Sequence, residues 1–133
     1  MLYMLDTDVC VYYARKKSPQ ILARVNNCSP GDLVISPITY GELRFGAENS
    51  AQPAAAAKML DEFTMAVPVV PLDRQVAEYY GKFRLHPQRK GNIIGANDLW
   101  IAAHCLQLGL TLVTNNEKEF RRIPNLAIEN WTQ

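Results

Sequence analysis

The residues of this chain that could act together chemically are acids placed at the ends of apolar runs. Asp6-Thr7-Asp8 follows Leu2 to Leu5 directly, and Glu42 lies on the second turn after Ser36-Pro37. Asp98 opens the segment Gly95-Ala-Asn97-Asp98-Leu-Trp-Ile-Ala-Ala, while Asn116 and Glu119 follow Leu110 to Val113 and Thr114. Carboxylates gathered in one site repel and raise one another's pKa unless a cation neutralises them. Oxygen donors of this kind suit Mg²⁺ or Mn²⁺. Zinc would want His or Cys at ligand spacing, and the two histidines and three cysteines form no such cluster. Taken singly, each acid has a plainer use. Asp6 or Asp8 can cap the helix that follows, Glu42 can face solvent, and Asp98 can complement the dipole of its first turn. Gly46, four residues beyond Glu42 on the same helix face, costs about 1 kcal/mol relative to Ala and points to a close approach on that face.

Bringing these acids together requires strands that end at a common edge. Short apolar runs that read as buried strands are Leu2 to Leu5, Leu33 to Ile35, Val67 to Leu72, Leu110 to Val113 and, more weakly, Leu126 to Ile128. Helical spacing fills the intervals: Val9 to Arg15, Pro19 to Asn27, Pro37 to Glu48, Pro53 to Met65, Arg74 to Lys90 and Ala96 to Leu108. Strands alternating with helices predict an α/β fold, a parallel sheet covered by helices on both faces. Ligands in such sheets sit outside the carboxyl ends of the strands, where Asp6, Glu42, Asp98 and one of Asn116 or Glu119 would converge. The segment from Ala96 is apolar almost all round, so it is covered on more than one side, by helices of this chain or by a partner subunit.

Composition narrows the class of molecule. A chain of 133 residues, 48% hydrophobic and 20% charged, reads as one globular domain over 1–133. Its formal net charge of +1 leaves attraction to a polyanion to local patches. Three clusters qualify: Arg15-Lys16-Lys17, then Arg84 with Arg89 and Lys90, and Lys118 with Arg121 and Arg122. The uncharged stretch from Leu99 to Asn116 contains His104, Gln107, Asn115 and Asn116, which argues against a membrane span. Met1 to Asp6 lacks a basic n-region, making the cytoplasm the expected compartment. Cys10, Cys28 and Cys105 form no CxxC pair and read as small core hydrophobes.

Five stretches, taken in order, resemble the PIN-domain ribonucleases, and specifically the VapC toxins of bacterial toxin-antitoxin pairs. They are Met4-Leu-Asp-Thr-Asp8, Ile38-Thr-Tyr-Gly-Glu-Leu-Arg-Phe-Gly46, Ile94 to His104, Leu112-Val-Thr-Asn-Asn116 with Glu119-Phe120, and Ile123 through Trp131. They span nearly the whole chain, and together they are far more specific than any one alone. The resemblance implies a three-layer α/β/α PIN-like domain with a central parallel sheet, acting as a Mg²⁺-dependent endoribonuclease. It further implies a homodimer silenced by a cognate VapB-type antitoxin whose tail covers the acidic cleft. By motif position, Asp6, Glu42 and Asp98 match the family's first three acids, and the fourth falls at Asn116 or Glu119. Thr114 matches a threonine that commonly lines the site. The catalytic set would be Asp6, Glu42, Asp98 and Glu119, and the metal-binding set Asp6, Asp98, Asp8 and Asn116. Asp8 departs from the family, in which many members carry Asn, and is either an added ligand or a helix cap.

On that reading a metal-bound water attacks the phosphodiester in line and the ribose 3′ oxygen leaves. No histidine pair is needed, which fits a chain whose His86 sits in a basic stretch and whose His104 lies inside the apolar helix. The expected substrate is a structured RNA with an exposed loop, with initiator tRNA cut in its anticodon region as the family precedent. Asp6-Thr7-Asp8 also looks like the nucleophile motif of haloacid-dehalogenase phosphatases, with Ser36 as a second motif. Against it, Thr114-Asn115-Asn116 replaces the paired aspartates of that family. A receiver-like, non-catalytic Mg²⁺-binding module is a third reading, and it lacks the lysine wanted after the last strand.

Overall fold

Very short strands, each followed by a residue suited to start a helix, set the architecture. The computed structural model describes residues 1–89 and 94–132, apart from the side chains of residues 86–89. Tyr3–Leu5 (β1), Leu33–Val34 (β2), Thr111–Val113 (β3) and Ala127–Glu129 (β4) form one sheet in the order β2-β1-β3-β4. Every neighbouring pair is parallel, with Tyr3 beside both Leu33 and Thr111, and Val113 beside both Leu5 and Glu129. The helices are Thr7–Ala14 (α1), Pro19–Asn26 (α2), Pro37–Glu48 (α3), Pro53–Ala66 (α4), Arg74–Arg89 (α5), Ala96–Leu108 (α6) and Glu117–Phe120 (α7).

Alternation along the strands divides the core between the two faces of the sheet. Met4, Val34 and Leu112 pack with Leu99, Ile101, Ala102 and Cys105 of α6, and Tyr80 and Phe83 of α5 close that layer. Leu5, Leu33, Ile35 and Val113 pack on the other face with Val9, Cys10, Ile21, Val25 and Trp131. This is the expected three-layer α/β/α domain around a parallel sheet. Helix starts follow the sequence signals. Ser18 and Ser36 each accept a backbone N–H, from Ile21 at 3.2 Å and Ile38 at 3.0 Å, with Pro19 and Pro37 in the first turn. α6 ends at Gly109, whose φ of 69° lies in the left-handed region that favours glycine.

One expectation needs correction. Val67 to Leu72 is not a strand; it makes one parallel bridge, Ile35 with Val69. Ile35 N–H donates to Pro68 O at 3.0 Å and Val70 N–H to Ile35 O at 3.0 Å. Pro68 and Pro71 have no N–H to extend that ladder. Of the two covers open to the apolar α6, the chain itself supplies one, and Leu99 and Ile101 to Cys105 are buried within it. Helix bounds otherwise shift by a residue or two, and Lys90, expected to close α5, lies outside the described residues. Among the described residues no helix is long and apolar enough to cross a membrane.

Candidate metal centre

The carboxyl end of β1 carries Asp6 into the middle of the site. Its N–H donates to Val113 O at 2.9 Å, which continues the sheet one residue past β1. Its side chain caps α1: Oδ1 accepts Thr7 N–H at 2.8 Å, and Oδ2 accepts the Thr114 hydroxyl at 2.8 Å. Asp6 is 5% exposed. Desolvation raises its pKa from 3.8 to about 6, the two hydrogen bonds oppose the rise, and the charges of Asp8 and Glu42 add to it. The cap is therefore Asp6, while Asp8 stands exposed in the first turn of α1.

Asp98 sits in the first turn of α6, facing α7. Burial pushes its carboxyl up to about 8, helped by a hydrogen bond to Glu119 and by the charges of Glu119, Asp6 and Glu42. Glu119 moves the other way: desolvation raises it, but bonds from Asp98, the Gly95 N–H and Asn116, with the charge of Arg122, together lower it. Of the two, Asp98 is the acid that the site pushes toward holding a proton and Glu119 the one it pushes toward ionisation. Glu119 Oε1 accepts Gly95 N–H at 3.0 Å and Oε2 accepts Asn116 Nδ2 at 2.6 Å, so this acid ties α7 to the start of α6. Asn116 is anchored in turn by its N–H to Thr114 Oγ1 at 2.9 Å. Glu42, exposed on α3, accepts the Thr7 hydroxyl on Oε1 at 2.8 Å.

The fold thus brings the acids expected from sequence into mutual electrostatic reach. Each rests on a protein partner, however: Asp6 on Thr7 and Thr114, Glu42 on Thr7, Asp98 on Glu119, and Glu119 on Asn116 and Gly95. As these side chains lie, no three acids among the described residues stand close enough to ligate one ion. The donor set nonetheless fits a divalent cation, because it is all oxygen and burial with neighbouring negative charge raises the carboxyls of Asp6 and Asp98, a repulsion that a cation would relieve.

Other candidates fall elsewhere. His104 is fully buried against the segment that carries Pro71 and Asp73; burial lowers its pKa, and Asp73 and the Pro71 carbonyl partly restore it. The side chain of His86 lies outside the described residues. Arg15-Lys16-Lys17 is at the far end of α1 from Asp6, roughly 12 Å along the axis for eight residues. Arg44 pairs with Glu48 at 3.0 Å. Arg84 donates to the Tyr80 hydroxyl at 3.0 Å, and the side chain of Arg89 and all of Lys90 lie outside the described residues. Lys118, Arg121 and Arg122 flank the acids on and after α7, where Arg121 pairs with Glu117 at 3.0 Å and Arg122 acts on Glu119. Ser36 is engaged in capping α3, which removes the second motif from the phosphatase reading.

Sequence reasoning missed two features. One is the role of Thr7, whose partner Glu42 is 35 residues away. The other is a groove of about 1170 Å³ between α1, α2, α3 and α4, opening at Thr7 and Glu42 and lined by Val11, Leu43, Phe63 and Gly46. Among the described residues nothing approaches Gly46: a Cβ built there meets no atom within 4 Å.

Residues 3–126 match the model of the PIN domain. Ribonuclease VapC1 of Haemophilus influenzae is 41% identical, with 100% of both chains covered. The tRNA(fMet)-specific endonuclease VapC of Salmonella typhimurium is 38% identical over 97% of each. The structure of VapBC-1 from nontypeable Haemophilus influenzae superposes with a TM-score of 0.92 at 40% identity, over 100% of both chains. The chain belongs to the PIN-domain family and, within it, to the VapC ribonucleases. The haloacid-dehalogenase reading finds no support in these likenesses.

Proposed function

We propose that the chain is the toxin of a VapBC-type pair and a Mg²⁺-dependent endoribonuclease that cuts initiator tRNA in its anticodon region. The observation that carries this reading is the cluster of Asp6, Glu42, Asp98 and Glu119 outside the strand ends, with Asp6 and Asp98 raised by burial and mutual repulsion. The name of the Salmonella relative supports the tRNA substrate.

Asp6 and Asp98 would hold the metal directly. Glu42 would complete the set of donors around it, and Glu119 with Asn116 positions Asp98. Asp8 adds charge at the rim. When bound, Mg²⁺ supplies a more acidic water and offsets charge on the scissile phosphate. A cation held by Asp98 would favour its ionised form and offset its repulsion with Glu119. Lys118 and Arg122 meet the RNA backbone beside the acids. The apolar groove that opens at Thr7 and Glu42 seats the antitoxin chain, which covers the acids, and the active assembly is a homodimer.

The test is cleavage of a total tRNA pool with Mg²⁺, with an Asp6→Asn protein purified in parallel. Discrete fragments from the wild type alone, abolished by EDTA and mapping to the initiator anticodon loop, are expected. Equal fragments from both proteins would mark a contaminant and remove the assignment.

A further inference from the structure

We propose that Thr7 is a positioning residue: its hydroxyl holds Glu42 in place for the metal-dependent reaction. The inference rests on the nuclease reading above. Thr7 is the first residue of α1, between two acids of the site. Its N–H donates to Asp6 Oδ1 and its hydroxyl to Glu42 Oε1, each at 2.8 Å. The same hydroxyl lies 3.4 Å from that of Thr39, which is fully buried one turn before Glu42 on α3. A hydroxyl has one proton, so the shorter contact to a carboxylate takes it.

Helix formation does not explain this hydroxyl. The cap of α1 is Asp6, and the first helical position makes no demand for a hydroxyl. Glu42, by contrast, needs an anchor: it is exposed, its side chain is long, and its only hydrogen bond among the described residues is to Thr7. Ordering such a chain is entropically unfavourable unless something holds it. Thr7 is well placed to do so, because its own backbone is fixed to the sheet through Asp6 and Val113. Holding Oε1 leaves Oε2 without a protein partner among the described residues, as the oxygen available to the metal shell. One residue thereby sets the spacing between the first and second acids, on elements 35 residues apart in sequence.

The experiment compares Thr7→Val, which keeps the branched shape and removes the hydroxyl, with Thr7→Ser, which keeps the hydroxyl. Two readouts are used: the Mg²⁺ concentration giving the half-maximal rise in melting temperature, and the kinetics of RNA cleavage. In Thr7→Val the Mg²⁺ midpoint is expected to rise severalfold and kcat to fall about tenfold with KM for RNA unchanged, as expected when a group is misplaced rather than lost. Thr7→Ser should stay within about twofold of wild type, and Thr7→Val should add nothing in a Glu42→Ala background. A wild-type Mg²⁺ midpoint in Thr7→Val overturns the proposal. So does a Thr7→Ser protein as impaired as Thr7→Val, which would assign the effect to packing. If Thr7→Val fails to fold, Thr7→Ala takes its place in the same comparison. A wild type that responds to Mg²⁺ but cuts no RNA removes the nuclease reading, and the Mg²⁺ midpoints still decide the role of Thr7.

Discussion

Asp6 and Asp98 bind protons more tightly in the folded chain than their type would suggest, and this fixes the sign of a pH effect. Their pKa values are raised from 3.8 to about 6 and about 8. Between those limits the folded state holds protons that the unfolded state has released, so stability from these groups is full below about pH 4 and is lost as pH rises. The melting temperature in EDTA should therefore contain a component that falls between about pH 4 and 8, and saturating Mg²⁺ should reverse it. Asp98→Asn is a sharper form of the same argument. The amide can still donate to Glu119 but carries no charge, so the metal-free melting temperature should rise and the Mg²⁺-induced increase should shrink. An unchanged Mg²⁺ response would remove Asp98 from the metal shell. Asp6 was legible in the sequence because it sits where an apolar run stops, and Glu42, Asp98 and Glu119 through the family resemblance of the segments that carry them. Thr7 was not, because a first-turn position tolerates many residues and the meaning of its hydroxyl lies on another helix. The choice between Asp6 and Asp8 as cap was also hidden, since the strand end and the helix start share one residue.

At the scale of elements, periodicity and punctuation predicted the order of β1 to β4 and α1 to α6, with Ser-Pro pairs marking α2 and α3, but not the single turn of α7. The failure at Val67 to Leu72 has a local cause, in that an apolar run passes for a strand until its prolines are counted against the ladder they interrupt. The clasp between α2 and β4 was equally invisible to pattern. Glu129 Oε1 receives Arg24 at 3.0 Å and Trp131 Nε1 at 3.0 Å, and the Arg24 guanidinium lies over the Trp131 ring at 4.7 Å. Trp131 also meets Tyr3 of β1 edge-on at 5.1 Å and is buried. Trp131→Ala should lower unfolding free energy by about 3–5 kcal/mol in urea titration. Arg24→Ala, on an exposed pair, should cost no more than about 1 kcal/mol. Comparable losses from the two variants would mean that charge rather than packing closes the end of the sheet.

For the molecule as a whole, the three most exposed large apolar side chains among the described residues lie on α3 and α4 rather than on α6: Phe45 is 72% exposed, Met59 60% and Met65 85%. Exposed apolar surface of this kind suits assembly. Light scattering at micromolar concentration should return twice the 15.0 kDa chain mass, and a monomer would overturn the homodimer. The sheet itself bears on when activity can first arise. β1 pairs with β2 and β3 but with nothing close in sequence, and Asp6 meets Thr114 across 108 residues. Long-range parallel pairing is slow to form and cannot begin before its last partner exists. A nascent chain that has not yet emerged through β3 has neither the floor of the site nor Glu119, so the growing polypeptide carries no assembled acidic site until synthesis is almost finished.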